Sequence, residues 1–97
     1  MINLERKGDV FTMTLDSGEN RWNTSFVREL SEILDEVVNS SGPAALVTAS
    51  ASEKFFSNGL DLGWIQNPQD FPAAGNREVF ASEFMSLMAR LITLPIP

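Results

Sequence analysis

The spacing of apolar residues changes repeatedly along this chain, and that constrains the fold more than any other feature. Apolar and polar residues alternate over Ile2 to Arg6 and over Val10 to Leu15, on either side of the turn Lys7-Gly8-Asp9. This pattern predicts two short strands joined as a hairpin. After the turn-rich segment "DSGENRWNTS", apolar residues recur at Phe26, Val27, Leu30, Ile33, Leu34, Val37 and Val38. That is the spacing of one helical face, with Thr24 or Ser25 as N-cap and "NSSGP" as the stop. The run "AALVTA", Ala44 to Ala49, predicts a strand buried on both faces. A Pro-punctuated polar loop is expected from Gln66 to about Asn76. A second helix is expected to carry Val79, Phe80, Phe84, Leu87, Met88, Leu91 and Ile92 on one face. Strand, strand, helix, strand, turn, helix is the order of an α/β fold built from crossover units.

The closing "LITLPIP" alternates apolar residues with Pro, as if a further strand were about to begin. Residues 1–97 are therefore expected to form the N-terminal part of a single longer domain rather than a finished one. A free-standing domain of this size would bury only roughly 60 to 65% of its unfolded surface.

Composition removes several functions. Cys and His are both absent, so the chain can offer no disulfide, no Cys nucleophile, no Ser-His pair and no ordinary zinc site. Carboxylate, hydroxyl and backbone-amide chemistry remain. Seven basic and 13 acidic residues give a net charge of -6, and no basic cluster exceeds the pair Arg6-Lys7. That argues against nucleic acid or an anionic membrane as partner. The N-terminus lacks the layout of a signal peptide and no apolar run approaches a membrane span, so a cytoplasmic location is expected.

The stretch "KFFSNGLDLGW", Lys54 to Trp64, carries the clearest chemical signal. Asn-Gly between apolar segments usually marks a two-residue hairpin. Here, however, "LDLGWIQNP" has no strand alternation and reaches Pro quickly, and Asp61 suits an early helical position. A strand-to-turn-to-helix junction fits better. Such a junction aims backbone N–H groups at whatever lies above it, and Gly59 permits close approach. On the residues alone, an anion or oxyanion site and a plain structural turn both stand.

This stretch resembles the first signature of the crotonase superfamily, the enoyl-CoA hydratase and isomerase group, in which F-S-x-G-x-D-L forms half of an oxyanion hole. The preceding hairpin, loop, amphipathic helix and "AALVTA" strand are similar in order and spacing. The form "FFSNGLDL" is most like the Δ3-Δ2-enoyl-CoA isomerase branch. The resemblance implies a crotonase-like fold of ββα repeats, seen in its N-terminal portion. It implies an enzyme that binds acyl-CoA or enoyl-CoA thioesters in fatty acid metabolism and needs no cofactor beyond the coenzyme A of its substrate. It implies a homo-oligomer, trimer or hexamer, in which this portion acts with a C-terminal portion. Leu60 matches the position whose backbone N–H meets the thioester carbonyl. Ser57, Asn58, Gly59 and Asp61 match the turn that shapes the site and lies along the substrate. The loop "ENRWN" corresponds to the segment near the CoA nucleotide, where Arg21 could meet a phosphate and Trp22 could cover an apolar or adenine face. Arg21 reads equally as a solvated cation and Trp22 as ordinary packing. The family places its second N–H donor and its catalytic Glu downstream of these residues, so this chain alone is expected to be inactive. Hydration by two downstream carboxylates and a non-catalytic binding or assembly role are the alternatives to isomerisation. Glu78 and Glu83 read as a solvated helix face.

Overall fold

The computed structural model describes residues 1–67 and 76–97. It contains strands β1 (Ile2–Lys7) and β2 (Val10–Leu15), helix α1 (Thr24–Val38), strand β3 (Ala45–Ser50), the short helix α2 (Leu62–Ile65) and helix α3 (Asn76–Ile92). Residues 68–75 of the expected polar loop lie outside the described residues. The predicted hairpin forms, with antiparallel register from Ile2 opposite Leu15 to Lys7 opposite Val10. Gly8, at φ 58°, takes the left-handed place that a two-residue turn requires.

α1 carries the crossover from β2 to β3, and these two strands pair in parallel from Val10 opposite Ala45 to Leu15 opposite Ser50. The sheet order is β1-β2-β3. Phe11, Met13 and Leu15 share the inward face of β2 and are buried, as are Phe26, Val27, Leu30, Leu34 and Val37 along α1. Full burial of each such side chain contributes about 1.5–3 kcal/mol. This is the helical stripe that the sequence spacing predicts, except at its end, where Val38 is exposed.

Three expectations need correction. The N-cap of α1 is Asn23, not Thr24 or Ser25: its backbone is extended and its side-chain oxygen accepts the Phe26 N–H. β3 is not buried on both faces. Its register puts Leu46 inward with Phe11 but Val47 outward with Thr12, and Val47 is 49% exposed. The described helices cover only one face of the sheet, and β3 is an edge strand. α3 does not bury a single continuous face either. Phe80 and Leu87 are buried and Phe84 and Met88 pack beside them, while Val79, Leu91 and Ile92 are exposed. α3 is fastened to α1 by Arg28–Glu83 at 3.1 Å and Arg90–Asp35 at 2.7 Å. At the end of the chain, Pro97 accepts the Leu46 N–H at 2.9 Å on the open edge of β3.

Candidate functional site

The site is built on the loop between β2 and α1, and Asn20 organises that loop. Asn20 is fully buried at φ 52°, a left-handed conformation that Asn tolerates better than most residues. Its side-chain oxygen accepts the Ser17 N–H at 2.9 Å. Its amide nitrogen donates to Ser50 Oγ at 3.0 Å, Phe56 O at 2.9 Å and, at 3.4 Å, Leu15 O. One side chain thus ties the end of β2 and the end of β3 to the first residues of the 56–61 segment.

That segment docks on the loop through its backbone. The Ser57 hydroxyl donates to Asn20 O at 2.7 Å, and the Asn58 N–H donates to Glu19 O at 2.9 Å. The Trp22 N–H donates to Gly59 O at 2.8 Å, and the Asp61 N–H donates to Trp22 O at 2.9 Å. These last two bonds form a parallel bridge between Trp22 and Leu60. In such a bridge the N–H and C=O of the opposing residue point away from the partner. The Leu60 carbonyl accepts from Arg21 Nη1 at 3.3 Å, and the Leu60 N–H has no acceptor among the described residues. Gly59 sits at φ 78° with open space where a Cβ would stand, so backbone conformation rather than crowding demands glycine here.

Asp61 ends the turn and starts α2. One carboxylate oxygen accepts the Trp64 N–H at 3.1 Å and the other accepts from Asn23 Nδ2 at 3.0 Å. The N-caps of α1 and α2 are therefore joined side chain to side chain. On the outer side, Glu19 accepts from Arg21 at 2.6 Å and from Asn58 Nδ2 at 2.8 Å. The Asn58 amide, and then Arg21, hold the Glu19 carboxyl below its ordinary value. A cleft of about 450 Å³ opens beside these groups, lined by Glu19, Arg21, Asn23, Phe26, Glu29 and Asp61. Leu60 does not line it, and the residue is 42% exposed.

The structure therefore brings Ser57, Asn58, Gly59, Leu60 and Asp61 together with Arg21 and Trp22. Arg21 is half-buried and already bonded to Glu19 and to the carbonyls of Asn58 and Leu60. The Trp22 indole packs edge-on against Phe26 at 4.9 Å and Phe84 at 5.4 Å, beside the hydrophobic core. Sequence reasoning gave no role to Glu19, Asn20 or Asn23. An Asn at a turn before a helical run is a signal for Asn23, whereas nothing local marks Asn20 as buried.

Known proteins resemble this chain in sequence and in fold. No family model matches the chain. It is 33% identical over its whole length to "Enoyl-CoA delta isomerase 2, peroxisomal" of Arabidopsis thaliana and 30% identical to "Enoyl-CoA delta isomerase 3" of the same plant. It spans about 41% of the length of each of these relatives. Among solved structures it is similar to an enoyl-CoA hydratase of Shewanella pealeana, at 25% identity and a TM-score of 0.83 over 99% of this chain and 36% of that one. An enoyl-CoA hydratase/isomerase (crotonase) of Legionella pneumophila superposes at a TM-score of 0.81 and 23% identity, over 99% of this chain and 37% of that one. The fold is crotonase-like, and the resemblance to the N-terminal part of enoyl-CoA isomerases and hydratases holds from end to end of the chain. Among the described residues no helix is long and apolar enough to cross a membrane.

Proposed function

We propose that this chain binds the thioester of an enoyl-CoA and supplies, through the Leu60 N–H, one of the two donors of an oxyanion hole for double-bond isomerisation in fatty acid metabolism. The observation that carries this reading is the Leu60 amide. The Trp22 bridge fixes its peptide plane, yet the N–H keeps no acceptor among the described residues. A preorganised donor of this kind costs no reorganisation when charge develops on a carbonyl oxygen. Removal of a C2 proton from the thioester puts that charge on the oxygen, and a carboxylate returns the proton to another carbon to complete the shift. Ser57, Asn58, Gly59 and Asp61 hold the turn, and exposed Phe56, Leu60 and Leu62 offer apolar surface beside it. Arg21 can turn from Glu19 toward a phosphate of the CoA nucleotide, whereas Trp22 acts mainly by packing.

In this reading the second donor and the proton-carrying carboxylate come from outside residues 1–97. The working form is a homo-oligomer, and no cofactor is needed beyond the substrate's own coenzyme A. Hydration is the second reading, favoured by the likeness to the Shewanella pealeana hydratase. The default compartment is the cytoplasm. A tagged chain found in peroxisomes, the compartment in one relative's name, overturns that placement.

The test is calorimetric titration with a saturated acyl-CoA and with the thioether analogue that lacks the carbonyl oxygen. The acyl-CoA should bind more tightly, and the preference should vanish in Leu60→Pro while surviving in Leu60→Ala. Failure of the acyl-CoA to bind, or equal affinity for the two ligands in wild type, refutes the reading.

A further inference from the structure

Asn58 precedes Gly59, and the bare glycine nitrogen is the least hindered nucleophile a backbone can place next to an asparagine side chain. Asn58 is exposed. Among the described residues the Gly59 N–H donates only to Ser57 Oγ, at 3.3 Å, and apart from its own chain neighbours nothing stands within 4 Å of the place a Gly59 Cβ would occupy. The nitrogen and the space around it are therefore available. The main chain is held by the Asn58 N–H on Glu19 O, Arg21 Nη1 on Asn58 O and the Trp22 N–H on Gly59 O, and the Asn58 side chain is held at Glu19. Asn58 Nδ2 donates to Glu19 Oε2 at 2.8 Å, and the same carboxylate oxygen is fixed by Arg21 Nη2 at 2.6 Å.

We infer that the Asn58–Gly59 junction is a self-modification site, at which Asn58 cyclises and loses its side-chain nitrogen as ammonia, and that the Glu19 carboxylate holds it in check. The Gly59 nitrogen attacks Asn58 Cγ, forming the N–Cγ bond as the Cγ–Nδ2 bond breaks. The proton lost from Gly59 leaves on the ammonia. Water then opens the succinimide at either carbonyl, giving Asp or isoaspartate at position 58. Neither product suits the turn. Asp places a carboxylate where an amide now donates to Glu19, and like charges in contact repel. Isoaspartate inserts a methylene into the main chain before the peptide that joins position 58 to Gly59, one residue ahead of the Gly59–Leu60 peptide. The consequence for a thioester ligand rests on the function proposed above, but the modification itself does not.

The experiment is peptide mapping by mass spectrometry of the folded chain incubated at neutral pH, for wild type, Glu19→Ala and Glu19→Gln. A synthetic "FFSNGLDLG" peptide serves as the unrestrained reference, and Asn39, exposed in the same chain and followed by Ser40, as the internal one. Wild type should convert at Asn58 more slowly than the peptide. Glu19→Ala should convert about two- to fivefold faster than wild type, the range that a solvent-exposed charged contact supports. Glu19→Gln, which keeps an acceptor, should fall between them. Acceleration in Glu19→Ala must be confined to Asn58. If Asn39 accelerates equally, the chain has opened globally, and Glu19→Gln then decides: a rate equal to wild type overturns the restraint. No conversion at Asn58 in any variant, while the peptide converts fully, overturns the site.

Discussion

Removing the Asn20 side chain tests whether one buried amide holds the loop and the 56–61 segment as a unit. The loss can be worked out bond by bond. Leu15 O keeps its bond from the Ala51 N–H at 2.9 Å, and Ser50 Oγ keeps Phe55 O and the Ser52 N–H. Asn20→Ala therefore leaves Phe56 O and the Ser17 N–H as the groups that lose a good partner. Two such bonds are worth about 1 kcal/mol each. Alanine at φ 52° adds about 1–2 kcal/mol of backbone strain. The expected loss is about 3 kcal/mol, or on the order of 15 °C in the melting temperature of a domain this size. Asn20→Gly removes the same bonds without the strain and should lose less. Asn20→Asp keeps a left-handed-tolerant shape but turns a buried oxygen toward Ser50 Oγ and Phe56 O, and should lose more than Ala. Urea and thermal unfolding by circular dichroism, at one fixed chain concentration, read the order Asp worst, Ala next, Gly least. A loss below about 1 kcal/mol in Asn20→Ala, or an Asp variant as mild as Ala, refutes the role given to this side chain.

Where turnover is measured in a complete domain containing this segment, Leu60→Ala should largely preserve it, while Leu60→Pro should lower it by roughly 10²- to 10³-fold with folding intact. Equal losses would assign the effect to the side chain. Gly59→Ala meets no atom but forces a side chain into φ 78°, and should cost about 1–2 kcal/mol by urea unfolding. Gly63→Ala, where the left-handed constraint is absent and the nearest contact is 3.7 Å, should cost nothing comparable. Glu19 has a folded pKa below the ordinary 4.5, so its contribution to stability is present above that value and lost as the pH falls through the lower folded one. The gap between wild type and Glu19→Gln should therefore be open at neutral pH and close on acidification, and a gap that widens in acid refutes the assignment. Exposed Val47, Leu62, Met85 and Ile92 should drive self-association that rises with concentration in sedimentation velocity; a concentration-independent monomer counts against it.

What the sequence made legible followed from periodicity. The hairpin from Ile2 to Leu15 and the face of α1 from Phe26 to Val37 lie where the spacing of apolar residues puts them. Side chains that pack on one face must repeat with the element's own period. β3 misled because "AALVTA" is as apolar as a central strand. Burial on its second face depends on what covers the sheet there, and local composition does not carry that. α3 misled for the same reason at Val79, Leu91 and Ile92. Asn23 was missed by one residue, because Asn, Thr and Ser at 23 to 25 are all good caps and only backbone conformation separates them.

The turn of the candidate site was legible in the sequence, and what supports that turn was not. The segment "SNGLD" announces a turn through its residue types, but the group expected to do chemistry there is a backbone amide, present at every residue except proline. What distinguishes Leu60 is that the Trp22 N–H and C=O engage its flanking peptides and leave its own N–H outward. Asn20 fastens the loop before Trp22 to Phe56 O, and the Trp22 indole packs against Phe26 and Phe84. The side chains of the site thus act by holding main chain against main chain. Such an arrangement tolerates wide substitution wherever the hydrogen-bonding pattern survives. It follows that the residues most sensitive to change should be Asn20, Gly59 and Asp61 rather than Leu60 itself.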